Sequence, residues 1–167
     1  MDTSFLIDWV KYDNRDLLFK HYDVVFITES VLNEIRTEVP LLWVSEWMAK
    51  GRIKVLEETA DVRRKAISIV EATRGAPIRS ADYPEAVCLV FGKELGVDVL
   101  TENGGVFAAK ELLEDYRDVN VYRAIDVLYM LFKEGLIIDF TSEVKKYINS
   151  TKHTYTRDIL GKYGVNI

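Results

Sequence analysis

The chain has little that oxidative or thiolate chemistry could use. Its 167 residues include one cysteine, Cys88, and two histidines, His21 and His153. A lone cysteine forms no internal disulfide, and Cys88 lies among Val87, Leu89 and Val90, where a buried, inert thiol is expected. The two histidines have no metal-ligand spacing and read as surface residues. No apolar run approaches the roughly 18 residues of a membrane span. The first residues lack the basic-then-apolar order of a signal peptide. Low-complexity tracts, internal repeats and linkers are missing as well, so a cytoplasmic protein with one core and no membrane role is expected. Basic charge is not in excess: 22 Lys and Arg face 27 Asp and Glu, a formal charge of −5. That balance excludes a broadly basic coat for nucleic acid, though an acidic site can coexist with a basic rim.

What is present is an alternation of short apolar runs and helical patterns. Residues 23–27 form a strand candidate with a continuous apolar core, as in strands covered on both faces. Thr28 is placed to cap a helix carrying Val31, Leu32 and Ile35. Pro40 leads into a helix with Trp43, Trp47 and Met48, which Gly51 ends before the strand candidate 53–56. Trp43 and Trp47 read as core, with a dimer or partner patch as the other reading. Helical spacing returns over 62–73, and Pro84 suits the first turn of a helix that Gly96 stops. Residues 97–100 and 119–122 are two further strands, each followed by a helix, the last closed by Gly135. Two small helices are expected around 142–148 and 154–163. Alternating strands and helices predict an α/β fold, a three-layer α/β/α arrangement around a central parallel sheet, with 1–140 as the main domain and 141–167 as its helical C-terminal extension.

In such sheets, sites form at the carboxyl ends of strands. Four acids occupy those ends: Asp2, Glu34, Glu85 and Glu102. Each alone has an ordinary explanation: a terminal residue, a solvated helix charge, a first-turn acid favoured by the helix dipole, a turn former. Together at one sheet edge they would repel, and a divalent cation is the usual relief. A phosphatase or phosphotransferase with Asp2 as nucleophile would want a second Asp two residues on, where this chain has Ser4.

The motifs Asp2-Thr3-Ser4-x-Leu6 and Ile27-Thr28-x-Ser30-Val31-Leu32-x-Glu34-Ile35 resemble the opening of PIN-domain ribonucleases. Residues 84–87 and 93–103 look like that family's third and fourth acidic blocks, and 121–137 is similar to its VapC-related toxins. The resemblance implies Mg²⁺ or Mn²⁺ binding, endonucleolytic cleavage of RNA, a small inhibitory antitoxin protein and a homodimer. It assigns catalysis to Asp2, Glu34, Glu85 and Glu102, with Asp2, Glu85 and Glu102 on the metal. Thr3, Ser4, Asp82 and Asn103 are auxiliary, the last because either Glu102 or Asn103 can be the fourth position. Arg63, Arg64 and Arg79 are candidates for holding the RNA backbone, against a reading of that basic stretch as a solvated face balanced by nearby acids. Relatives carry several apolar residues before the first acid, as a central strand. Here only Met1 precedes it, so an earlier start or packing by Phe5-Leu6-Ile7 is expected to compensate.

Overall fold

Asp2 marks the first boundary in the chain. Its backbone is extended (φ −82°, ψ 159°) and its carboxylate accepts from the Ser4 N–H, which starts α1 (Thr3–Lys11). Phe5, Leu6, Trp9 and Val10 recur at helical spacing and are buried, so the residues after Asp2 pack as a helix and not as a strand substitute. The computed structural model describes residues 1–166. A 3-10 turn at Arg15–Leu17 leads into α2 (Leu18–His21) and then β1 (Val25–Thr28). Thr28 caps α3 (Glu29–Glu34), accepting from the Val31 N–H at 3.3 Å. Next come α4 (Glu38–Ala49) and β2 (Ile53–Leu56), separated by Gly51 at φ +70°. After them lie α5 (Ala60–Arg74) and α6 (Tyr83–Leu95), the latter stopped by Gly96 in the left-handed region. The chain continues through β3 (Val99–Leu100), α7 (Gly104–Leu112), β4 (Val121–Tyr122) and α8 (Ala124–Lys133). It closes with α9 (Phe140–Thr151) and α10 (Arg157–Lys162).

The protein is therefore mixed α/β with short parallel strands, but its sheet is divided. β1 pairs with β2 in parallel from Val25↔Ile53 to Thr28↔Leu56, and β3 pairs with β4 over Val99↔Val121 and Leu100↔Tyr122. The expected strands at 97–100 and 119–122 each lose their first half to local turns. The Val97 N–H is taken by Gly92 O at 3.2 Å, and the Val119 N–H by Tyr116 O at 3.1 Å. Between the two pairs runs the Met1–Asp2 dipeptide: Met1 N donates to Phe26 O at 2.7 Å and Asp2 N to Leu100 O at 2.9 Å.

Helix α6 packs against both pairs, and its Ala86, Val87, Cys88, Leu89 and Val90 are all buried. Burial pushes the Cys88 thiol up to about 12, as expected of an inert cysteine. The C-terminal helices close over α1 and α8. Tyr147 of α9 is fully buried against Trp9 and Tyr12, and the Tyr12 hydroxyl donates to Glu143 Oε1 at 2.5 Å. Trp43 is buried, donating to Asp16 at 3.0 Å, and Trp47 stacks on Phe19 at 4.0 Å. The pair thus packs inward against α2. No helix among the described residues is long and apolar enough to cross a membrane.

Candidate active site

One cleft of about 400 Å³ collects Asp2, Asp8, Glu34, Asp82 and Glu85, together with Thr3 and Ser4. It opens where α1 and α6 begin, beside the end of β3. The two central acids are nearly inaccessible, Asp2 at 2% and Glu85 at 6% exposure.

Asp2 is held by hydroxyls. Ser4 Oγ and Thr101 Oγ1 each donate to Asp2 Oδ2 at 2.6 Å. Thr101 is itself fully buried, and its backbone N–H pairs with Tyr122 O at 3.0 Å, so the end of β3 sets the Asp2 rotamer.

Glu85 stands in the first turn of α6, where it accepts from the Asp82 N–H at 3.0 Å and from the Asn103 side-chain amide. The first bond is one half of a capping box. Burial pushes its carboxyl up to about 7, and the Asp2 and Asp82 charges act the same way. The Asp82 amide and Asn103 oppose them without prevailing. Asn103 is fixed in turn by α7, since its Oδ1 accepts from the Gly105 N–H at 2.9 Å. Gly105 is required there by close approach: a Cβ would collide with the Ser80 carbonyl. Glu34 lies at the exposed rim of the cleft, accepting from Thr3 Oγ1 at 2.5 Å.

Glu102, expected to share the metal, lies outside this cleft. Its Oε1 accepts from the Ala124 N–H at 2.8 Å, capping α8, and from the Tyr155 hydroxyl at 2.9 Å. Its Oε2 sits 3.2 Å from His153 Nε2, an ion-pair distance without hydrogen-bond alignment. The carboxylate takes these partners because β4 and α9 bring them within its reach, away from Asp2. Asn103, the alternative fourth position, is the one that reaches Glu85.

His153, expected at the surface, is partly buried. Its Nδ1 lies 3.1 Å from Asp8 Oδ2, and the hydrogen bond to Asp8 and then the Glu102 carboxylate raise the imidazole to about 9 against the opposing effect of burial. His21 is also partly buried, 2.6 Å from Glu134. The basic residues divide as well. Arg63 pairs with Glu29 at 3.7 Å, Arg64 with Asp61, and Lys65 with Asp61 and Glu94 at 2.5 and 2.6 Å, so this part of α5 is a balanced, solvated face. Arg79 is exposed, makes no ion pair among the described residues, and lies against Gly104 beside Asn103.

Three participants escaped the sequence reading: Thr101, Asp8 and His153. Thr101 follows a strand end directly, which is a usable signal. Asp8 and His153 are 145 positions apart and carry none.

Among the described residues, no three His, Cys, Asp or Glu side chains converge closely enough to ligate one ion. The donors lining the cleft are nonetheless carboxylate and hydroxyl oxygens, the hard type that Mg²⁺ takes. Mg²⁺ is commonly held by one or two carboxylates with waters completing the shell, and the buried Asp2–Glu85 pair has that size. Comparison with protein-family models, curated proteins and solved structures finds no significant match to this chain.

Proposed function

We propose that the chain is a cytoplasmic, metal-dependent endoribonuclease of the PIN toxin type, hydrolysing RNA phosphodiester bonds with Mg²⁺ or Mn²⁺. One observation carries the reading: Asp2 and Glu85 are both buried in one acid-lined cleft, where burial and the Asp2 charge push Glu85 up to about 7. Two buried carboxylates without a cation oppose each other, and a protein gains nothing in stability from that arrangement.

In this reading Asp2 and Glu85 hold the ion, with Glu34 contributing through water from the rim. When bound, the ion supplies charge neutralisation and an acidified water. The chain's own residues do the rest. Ser4 and Thr101 keep Asp2 in one rotamer, while Asn103 and the Asp82 amide aim Glu85. Without the ion Glu85 titrates near neutrality, so taking up the ion would release its proton and leave the carboxylate charged as a ligand. Arg79, exposed beside Gly104, is positioned to hold an RNA phosphate. The same reading treats β1–β2 and β3–β4 as halves of one parallel sheet in a three-layer α/β/α fold. It also assigns the chain a small antitoxin partner and a homodimeric state.

The decisive variant is Asp2→Asn. It abolishes Mn²⁺-dependent RNA cleavage while leaving thermal unfolding cooperative; undiminished cleavage overturns the assignment. A second reading, an inactive fold acting as a protein- or RNA-binding module, is favoured by Glu102, which Tyr155, His153 and the Ala124 amide hold out of the cleft. Calorimetric titration with Mn²⁺ separates the two, since the module binds no ion.

A further inference from the structure

Positive charge is concentrated in the last helices of the chain. Residues 141–167 hold five Lys and Arg against two acids, whereas 1–140 hold seventeen against twenty-five. Lys146 is neutralised by Glu143 at 3.1 Å, while Lys145, Lys152, Arg157 and Lys162 make no ion pair among the described residues. A cavity of about 540 Å³ opens in this basic region, between α9 and α10.

Lys145, Ile148 and Asn149 line the cavity from one face of α9, and Leu160 of α10 lies across from them. The loop between the two helices forms the remaining wall. Lys152, the one non-glycine residue with positive φ (61°) among those described, turns the chain back at the end of α9 and so brings His153 and Tyr155 to the cavity. Both rings are fixed from behind. The Tyr155 hydroxyl donates to Glu102 Oε1 at 2.9 Å. His153 has Asp8 Oδ2 at 3.1 Å on one ring nitrogen and Glu102 Oε2 at 3.2 Å on the other. The two rings stand 4.6 Å apart, and buried Tyr147 is stacked on Tyr155 at 6.4 Å. Lys145 and Asn149 are exposed, and their side chains have no hydrogen-bond partner among the described residues. Fixed aromatic rings, aliphatic walls and a few uncommitted polar groups are the composition of a ligand site.

This cavity adjoins the acidic cleft. Asp8 lines the cleft and its partner His153 lines the cavity, so a single contact divides the two. We propose that the cavity binds one unpaired nucleotide of a single-stranded RNA whose backbone passes the cleft. Tyr155 and His153 offer the base a stacking surface, the Asn149 amide donates to and accepts from its edge, and Lys145 meets a phosphate. A phosphorylated peptide would supply the charge without the flat, polar-edged ring that this wall fits. Glu102, turned out of the cleft, is the carboxylate that seats both rings. The site rests on the RNA reading of the chain, but binding in it requires neither metal nor cleavage.

Fluorescence anisotropy in chelator tests it with a labelled, mixed-sequence oligoribonucleotide of about ten residues. Tyr155→Leu is expected to weaken binding about tenfold or more. Lys145→Ala weakens it less and lowers the slope of log Kd against log salt by about one. Lys54→Ala, the same change at an exposed position on β2, alters neither quantity. Binding by Tyr155→Leu at the level of the parent protein overturns the proposal. So does an abasic oligomer of the same length that binds as tightly, because the face then reads phosphate alone. Should Tyr155→Leu fail to fold, photocrosslinking of a 4-thiouridine oligomer to the parent protein decides. Crosslinks at 153–155 support the site, and crosslinks confined elsewhere overturn it. Ring-dependent binding in a chain that cleaves nothing with Mn²⁺ removes the nuclease reading and leaves the cavity assignment standing. Full cleavage with binding unchanged in the variants does the reverse.

Discussion

The Thr101 hydroxyl donates to Asp2 Oδ2 at 2.6 Å across ninety-nine positions of sequence. With the Asp2 N–H on Leu100 O, this bond fastens the first acid of the chain to the end of β3. It sets the rotamer of Asp2, since Ser4 alone would leave that carboxylate on a local turn.

Thr101→Val keeps the shape of this buried side chain and removes the donor. The variant is expected to lose about 1–2 kcal/mol of stability. It also loses about tenfold or more of the Mn²⁺-dependent cleavage rate. Urea unfolding and single-turnover RNA cleavage check the two effects separately. A fully active, folded variant would show that Asp2 needs no support from β3.

Glu85 provides a pH signature. Its folded carboxyl titrates at about 7 against an ordinary 4.5, so the contribution of its neutral form is complete below 4.5 and is lost as pH rises through 7. Metal-free protein therefore loses stability across that window, by on the order of 1–2 kcal/mol once solvent screening in the open cleft is allowed for. Thermal unfolding in chelator from pH 4 to 8 measures the slope. Glu85→Gln flattens it, although the variant keeps only one acceptor oxygen for its two donors, the Asp82 N–H and the Asn103 amide. A slope unchanged in the variant would assign the titration to another group.

His153 works in a different window. Its folded value of about 9 exceeds the ordinary 6.5, so the stability from its contacts with Asp8 and Glu102 is complete below pH 6.5 and fades as pH rises through 9. Subtracting the pH–stability curve of His153→Ala from that of the parent protein isolates the contribution. The difference is expected to be on the order of 1–2 kcal/mol at pH 6 and to shrink toward pH 10, leaving only lost packing. A constant difference across that range would mean that the ring acts by packing alone.

Gly105→Ala tests the seat of Asn103. A Cβ at Gly105 would collide with the Ser80 carbonyl oxygen and lie 2.9 Å from the Ser80 carbonyl carbon, both backbone atoms. The expected cost is about 1–3 kcal/mol, with reduced cleavage as Asn103 leaves Glu85. Gly161→Ala is the control, because nothing lies within 4 Å of its Cβ and the site is helical. That variant is expected to be neutral or stabilised by up to about 1 kcal/mol in the same denaturation assay.

Much of the local structure was legible along the chain. Thr28 caps α3 and Pro84 sits in the first turn of α6. Gly51, Gly96 and Gly135 terminate their helices at positive φ. These signals are read within a turn of the residue that sends them, and so they survive without a fold. The same holds for the gathering of Asp2, Glu34, Asp82 and Glu85, which follows from acids placed at strand and helix ends in a parallel topology.

Glu102 marks where that legibility stops. Its position after β3 looks equivalent to the other acids, yet its oxygens go to Ala124, Tyr155 and His153. A flexible carboxylate turns toward the donors nearest to it, and those donors come from segments up to 53 positions away. The split of the sheet is of the same kind. Residues 97 and 119 have strand composition, but neighbouring turns had already claimed their amides. By itself the sequence determined the helix ends and the apolar strand cores, which depend on spacing within one element, and, through its alternation of strands and helices, the placing of three of the four principal acids in one cleft. Only the tertiary structure decided that Asn103 and not Glu102 meets Glu85, that Thr101 holds Asp2, and that Met1 and Asp2 bridge β1 to β3. Those outcomes depend on which hydrogen-bond partners folding brings within three ångströms.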